Sequence, residues 1–192
     1  MRIKQAIQQS IEVKEKILQD EAFLLMIDEV ANTCVTALKR GNQVLFCGNG
    51  GSAADAQHLA AEFSGRYYFD REPLNAEALH VNTSYLTAVA NDYSFNEVFS
   101  RLVQAKGRKG DVLFGLTTSG NSENVVRAME TARSLGMVTV AMTGESGGKA
   151  RPLADFLFNV PAADTPRIQE AHILIGHIIC ELVESRFFSD SK

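Results

Sequence analysis

The sequence predicts an α/β fold: a three-layer α/β/α sandwich on a five-stranded parallel sheet, with an N-terminal helix pair. Three observations carry this. Five short apolar runs, Gln43–Cys47, Glu77–Val81, Val112–Thr117, Val138–Thr143 and Phe156–Val160, recur along the chain between turn residues. Longer helical patterns separate them, the alternation expected when helices cover both faces of a parallel sheet. Two of the runs lead into loops rich in Gly, Ser and Asn, each followed by a helical pattern.

Residues 1–40 read as two helices. Ile7, Ile11, Ile17 and Leu18 lie on one broad apolar stripe; Phe23, Met26, Ile27, Val30, Cys34 and Leu38 then recur at helical spacing. Gly41, after Lys39 and Arg40, is a helix stop signal. A helix pair outside the alternating unit either covers the sheet or serves an oligomer interface, because symmetric self-association through one shared patch is common. The strand Gln43–Cys47 is followed by a helix from near Ala53, and Val112–Leu116 by the helix Glu123–Leu135. The final segment, Pro166 to Phe188, is a long helical pattern in which Ile168, His172, Ile175, Ile179 and Leu182 can share an apolar face. No linker, repeat or low-complexity run interrupts the chain. Residues 1–192 therefore read as one domain, with 1–40 helical and 41–192 the α/β core.

The 192 residues carry 19 Lys+Arg against 23 Asp+Glu, a formal net charge of −4. That balance argues against a nucleic-acid partner. No apolar run is long enough to span a bilayer, which argues against a membrane protein. Met1-Arg2-Ile3-Lys4-Gln5 leads into a polar helical pattern rather than a signal peptide. Cys34, Cys47 and Cys180 form no C-x-x-C pair, which disfavours a thiolate zinc cluster or a disulfide framework. Free thiols fit a reducing cytoplasm.

The two loops are Cys47-Gly48-Asn49-Gly50-Gly51-Ser52 and Thr117-Thr118-Ser119-Gly120-Asn121-Ser122. In a parallel sheet both emerge at the carboxyl ends of strands, where ligands bind. Glycine lets the backbone approach an anion, and the following helix N-terminus offers free N–H groups and partial positive charge. With the hydroxyls of Thr117, Thr118, Ser119 and Ser122 these loops form a phosphate cradle that needs no Arg or Lys. Helix capping is the competing explanation, since Ser and Asn are preferred caps; two such loops in one small domain favour a ligand. Other phosphate motifs fit worse. Gly48-x-Gly50-x-x-Ala53 matches a dinucleotide fingerprint, but the next strand ends at Asn82, where an acidic residue is required. Gly148-Lys149 resembles the end of a P-loop, but Thr143 replaces its first Gly and Ala150 its Ser/Thr.

His58 and Glu62 are four apart, one turn of helix on one face; Gln169 and His177 are eight apart on the last helix. Neutral imidazoles and a carboxylate suit zinc, whereas Gln is an uncommon ligand. Spacing alone does not separate a metal site from a surface hydrogen bond. His172 reads as a packed core histidine and His80 as a structural strand residue. Asn91-Asp92 is an ordinary turn pair, or an amide and a carboxylate able to hold sugar hydroxyls.

Taken together, Cys47-Gly48-Asn49-Gly50-Gly51-Ser52, His58 to Glu62, Gly65-Arg66-Tyr67, Asn91-Asp92, Ser119-Gly120-Asn121-Ser122 and Arg167-Ile168-Gln169-Glu170 with His177 resemble the bacterial phosphoheptose isomerases of the sugar-isomerase (SIS) superfamily. The resemblance runs nearly end to end. It implies an SIS fold and aldose–ketose isomerisation of sedoheptulose 7-phosphate to D-glycero-D-manno-heptose 7-phosphate, the first step of ADP-heptose and lipopolysaccharide core biosynthesis. It further implies a cytoplasmic homotetramer with sites formed between subunits and one Zn²⁺ per subunit on His58, Glu62, Gln169 and His177. The sugar phosphate would be held by Asn49, Gly50, Gly51, Ser52, Glu62, Asn91, Asp92, Thr117, Thr118, Ser119, Ser122 and Gln169. Thr117 stands where many relatives have Ser, and the hydroxyl is kept.

Glu62 is then the base at C1 and His177 the partner acid/base, the usual division between a carboxylate and an imidazole. A carboxylate bound to zinc is a poorer base, so Glu62 must exchange or share these roles. The alternatives are a non-catalytic SIS protein that binds the bacterial replication initiator, and an isomerase or sensor of another phosphosugar. The presence of Glu62, Gln169 and His177 favours the enzyme.

Overall fold

The computed structural model describes residues 1–188. Two helices, α1 (Arg2–Leu18) and α2 (Glu21–Lys39), precede β1 (Val44–Gly48) and α3 (Gly51–Ser64). There follow β2 (Ala76–Ala78), α4 (Thr83–Asp92), α5 (Val98–Lys106), β3 (Val112–Leu116), α6 (Glu123–Ser134), β4 (Val138–Thr143), β5 (Phe156–Asn159) and α7 (Thr165–Phe187). The five strands are all parallel, in the order β2-β1-β3-β4-β5. Both expectations, five parallel strands and two N-terminal helices, hold.

The strands are apolar on both faces because both are covered. Val44, Phe46, Val112, Phe114, Leu116, Val140 and Met142 point into a core shared with α1, α2, α3 and α7. Leu45, Cys47, Leu113 and Ala141 point the other way, into a core shared with α4, α5 and α6. The period of two along each strand decides which layer a residue joins. Away from the site, buried Asp111 accepts hydrogen bonds from the backbone N–H of Gln43 and Arg108 and from both the Asn42 and Gln43 amides. That carboxylate ties the start of β1 to the start of β3.

Three expectations change. The strand read at Glu77–Val81 is shorter and earlier, Ala76–Ala78. It is an edge strand paired only with β1, and the Leu79 N–H makes one last bond to the Phe46 carbonyl before the chain turns. His80 therefore lies in that turn and not in a strand. On α1, whose stripe the sequence left as either sheet cover or interface, Val13 and Ile17 are buried and Ile7, Ile11 and Leu18 exposed. Asn91 and Asp92 are the last residues of α4 and not a turn pair.

The expectation for His172 holds. Its side chain is fully buried and its Nε2 lies 3.1 Å from the Thr143 carbonyl. Burial pushes its pKa down to about 4, against the pull of that carbonyl. Between about pH 6.5 and 4 the unfolded chain thus binds a proton that the folded chain refuses. Stability falls as pH drops through this window, by up to about 1.4 kcal/mol per unit from this one group. His172→Ala should melt lower than wild type at neutral pH, and the gap should narrow at pH 5. Parallel shifts of both melting temperatures across that range would show that His172 does not set the acid sensitivity.

Candidate active site

The strand order reverses at β1. The chain leaves β1 for the β2 edge and leaves β3 for the β4 side, so the loops after these adjacent strands diverge. Such a switch point opens a crevice at the strand ends. The two glycine loops of the sequence are these two loops.

An amide pair joins them. The Nδ2 of Asn49 donates to Asn124 Oδ1 at 2.9 Å, and Asn124 Nδ2 donates back to Asn49 Oδ1 at 2.9 Å. Asn124 is buried in the first turn of α6 and also accepts from the Val125 N–H. Sequence reasoning missed it; an Asn inside a helical pattern carries no sign of a partner 75 residues away.

The second loop rests on residues 144–150. Gly120 has a φ of 69°, and a Cβ there would lie 2.2 Å from the Gly147 carbonyl oxygen. The Gly120 carbonyl accepts from the Ala150 N–H, the Thr118 carbonyl from the Gly144 N–H, and Asn121 Oδ1 from the Lys149 N–H. On this support the Thr117 and Ser122 hydroxyls sit 2.9 Å apart, and Ser119 Oγ accepts from the Asn121 N–H. Capping does not explain these side chains. Ser122 is the N-cap of α6 but makes no side-chain cap bond, and α3 starts after Gly50, which has no side chain to cap with. The first turns of α3 and α6 thus carry N–H groups that no N-cap side chain accepts.

The second cluster lies between α3 and α7. Gly176 sits at their contact: a Cβ there would lie 2.5 Å from Leu59 Cδ1, so any side chain would force the buried Leu59 to shift. The neighbours of these two residues then meet. His58 Nε2 is 3.0 Å from His177 Nε2 and 3.2 Å from Glu62 Oε1. One ligand atom from each of His58, Glu62 and His177 lies within 4.8 Å of the other two. A tetrahedral cation with ligand bonds of about 2.0–2.1 Å holds its ligands about 3.3 Å apart. The donor types and spacings therefore fit one divalent cation.

Gln169 lies at the near end of the same helix. Its amide packs across Gly51, where a Cβ would come within 2.7 Å of both amide heteroatoms. That contact sets the head of α7 against the first glycine loop. Asp55, one turn before His58, has a buried Oδ2 without a hydrogen-bond partner; burial pushes its carboxyl pKa up, and His58 opposes this. Asn91 and Asp92 are exposed, and Asn91 Nδ2 donates to Asp92 Oδ1. No hydrogen bond joins either to a glycine loop among the described residues.

The SIS-domain family profile matches residues 7–144. A phosphoheptose isomerase of Aneurinibacillus thermoaerophilus is 52% identical over 97% of this chain and 94% of its own length. The chain belongs to the phosphoheptose isomerase family. A second relative, the phosphoheptose isomerase of Mycobacterium tuberculosis, is 53% identical over 94% of this chain and 92% of that protein. The solved phosphoheptose isomerase GmhA from Neisseria gonorrhoeae superposes with a TM-score of 0.90 at 43% identity, covering 96% of this chain and 97% of that one. A phosphoheptose isomerase from Francisella tularensis gives a TM-score of 0.91 at 36% identity, covering 96% and 97%. This family membership makes the chain an aldose–ketose isomerase and agrees with the resemblance read from the motifs.

Gly120→Ala should disrupt the second loop selectively. It places a side chain in a left-handed conformation and against the Gly147 carbonyl, at a cost of about 1–3 kcal/mol before any clash is relieved. Amide hydrogen exchange should rise at residues 117–122 and 144–150 while β1 and β3 stay protected. Unchanged exchange at both segments would show that the loop does not depend on this contact.

Proposed function

We propose that the chain converts sedoheptulose 7-phosphate to D-glycero-D-manno-heptose 7-phosphate through an enediol, the step that opens ADP-heptose synthesis. One observation supports this most directly. The contact of Gln169 with Gly51 sets a helix-borne His/Glu/His cluster beside a cradle of N–H groups and hydroxyls. A phosphosugar needs both: an anchor for its phosphate and acid–base groups at its other end.

The cradle of Asn49, Gly50, Gly51, Ser52, Thr117, Thr118, Ser119 and Ser122 holds the phosphate. Asn91 and Asp92 are assigned to the sugar hydroxyls by family likeness. Glu62 takes the proton from C1 of the open-chain ketose, and His177 gives a proton to the C2 oxygen, which leaves the neutral enediol. His177 then recovers a proton from the C1 oxygen while Glu62 returns its own to C2, giving the aldose. No external oxidant or reductant is needed, because C1 is oxidised as C2 is reduced.

The bound cation is assigned as one Zn²⁺ per subunit on His58, Glu62 and His177, with Gln169 as the fourth ligand. When bound it supplies polarisation of the carbonyl and charge stabilisation. Glu62 and His177 belong to both sets, so His177 would carry its proton on the ring nitrogen that does not hold the cation. One Glu62 oxygen faces His58, and the other is the one available for the C1 proton.

The assignment is tested by turnover of sedoheptulose 7-phosphate with zinc supplied. Glu62→Gln keeps the shape and removes the basicity, so kcat should fall at least about 10²-fold. Ser119→Ala with Ser122→Ala removes two bonds worth about 1.5–3 kcal/mol each to a charged group, so KM should rise steeply. A wild type without turnover, or a folded Glu62→Gln variant at wild-type rate, would refute the mechanism.

The same proposal includes a cytoplasmic homotetramer. Ile3, Ile7 and Ile11 on α1 are 73%, 58% and 42% exposed, and Leu18 at the end of α1 and Leu25 on α2 are exposed as well. Exposed apolar side chains on one helix in this number suit self-association. The three cysteines are buried and free, and burial pushes Cys34 and Cys47 up to about 12, in keeping with a reducing compartment. Light scattering at micromolar concentration should give the mass of four chains; a monomer mass would remove the shared-site reading.

A further inference from the structure

The most buried ion pair among the described residues is away from the reacting groups but tied to the helices that carry them. Arg71 and Glu184 have side chains only 3% and 2% exposed, and Arg71 Nε donates to Glu184 Oε1 at 2.8 Å. The rest of the guanidinium closes the end of α3. Its Nη2 donates to the Glu62 carbonyl at 2.8 Å, and its Nη1 to the carbonyls of Phe63, Gly65 and Glu72 at 2.8, 3.1 and 3.1 Å. The last carbonyls of a helix lack intrahelical donors and carry partial negative charge, so a cation there is favourable.

Glu184 anchors the other side. It lies seven residues after His177 on α7, two helical turns along the same face. Its oxygens also accept the backbone N–H groups of Tyr67 and Tyr68 at 2.8 and 2.7 Å. Through these bonds the segment after α3 is pinned to α7, and the Tyr67 ring stands 6.1 Å from the His177 ring.

We propose that Arg71 and Glu184 are positioning residues that lock the register of α3 against α7 and so hold Glu62 and His177 at metal-binding and proton-transfer spacing. The pair touches neither substrate nor cation. It acts through the Glu62 carbonyl on one helix and through the face of His177 on the other. Gly176 against Leu59 sets how near the helices come; the ion pair sets how far one slides along the other. This rests on the metal and isomerase assignment above, and it adds residues that neither the motifs nor the metal cluster contain.

The test compares Glu184→Gln and Arg71→Lys with Val183→Ala, all in the full-length chain. Val183 is fully buried on α7 beside Glu184 but belongs to the apolar core, so its truncation lowers stability without touching the lock. Zinc affinity is read by competition with a chromogenic chelator, and kcat and KM with sedoheptulose 7-phosphate. Each lock variant should lose about tenfold or more in zinc affinity, comparable to loss of an outer-shell partner. Each should lose a similar factor in kcat, with KM nearly unchanged because the phosphate cradle is intact. Val183→Ala should keep zinc affinity and kcat at an equal or larger drop in melting temperature.

Wild-type zinc affinity and kcat in the folded lock variants would overturn the proposal, as would equal losses in Val183→Ala. If Glu184→Gln does not fold, Arg71→Lys, which keeps the charge, decides alone. A wild type that turns over substrate but takes up no zinc refutes the metal assignment, and the kcat-against-KM split then judges the lock. A wild type with neither zinc nor turnover refutes the functional assignment and, with it, the lock.

Discussion

The close approach of α3 and α7 is the constraint on which the candidate site depends. Helices packed through ordinary side chains keep their axes about 8–10 Å apart. At Gly176 there is no side chain, and Leu59 of α3 fills the space directly over the α7 backbone. His58 and His177 adjoin these residues, so two imidazoles 119 residues apart in sequence meet at 3.0 Å. A larger residue at Gly176 would have to displace Leu59, the neighbour of His58, and so press on the spacing of the three donors.

The other half of the site depends on backbone. The order β2-β1-β3-β4-β5 places the two glycine loops on either side of one crevice. Neither loop stands alone: Asn49 and Asn124 pair across them, and residues 144–150 brace the second from behind. The cradle is built from helix N-termini and hydroxyls, which attract an anion without a mobile basic side chain. On the proposed assignment such donors are already fixed before a phosphate arrives, so little ordering entropy opposes its binding.

The N-terminal helices connect the surface to this site. α1 presents Ile3, Ile7 and Ile11 outward while Val13 and Ile17 join the core. Arg167, two residues before Gln169, donates to the Ala6 carbonyl of α1. The helix with the largest exposed apolar face is thus bonded to the head of the helix that carries Gln169 and His177, which links any assembly through α1 to the geometry of the site.

Much of this was legible in the residues, and the limits are physical. Runs of apolar residues between turn signals located five strands, because a strand covered on both faces has to be apolar throughout. The same rule overextended β2, since an edge strand ends where its one neighbour stops pairing, and Leu79-His80-Val81 are apolar enough to look like more strand. Periodicity found the stripe on α1 but not its direction, because an apolar face looks alike whether its own core or another chain covers it. The glycine loops and the one-turn spacing of His58 and Glu62 were also visible, as local geometry follows from local sequence. At that level helix capping competed with a ligand for each loop, and spacing alone did not separate a metal site from a surface hydrogen bond. The tertiary structure left Ser122 without a capping bond, paired Asn49 with Asn124, and brought His177 to His58. Sequence by itself determined which groups were available and which strands would carry them. Which groups meet was decided by the strand order and by the Gly176–Leu59 contact, because proximity across more than a hundred residues is a property of packing and not of spacing along the chain.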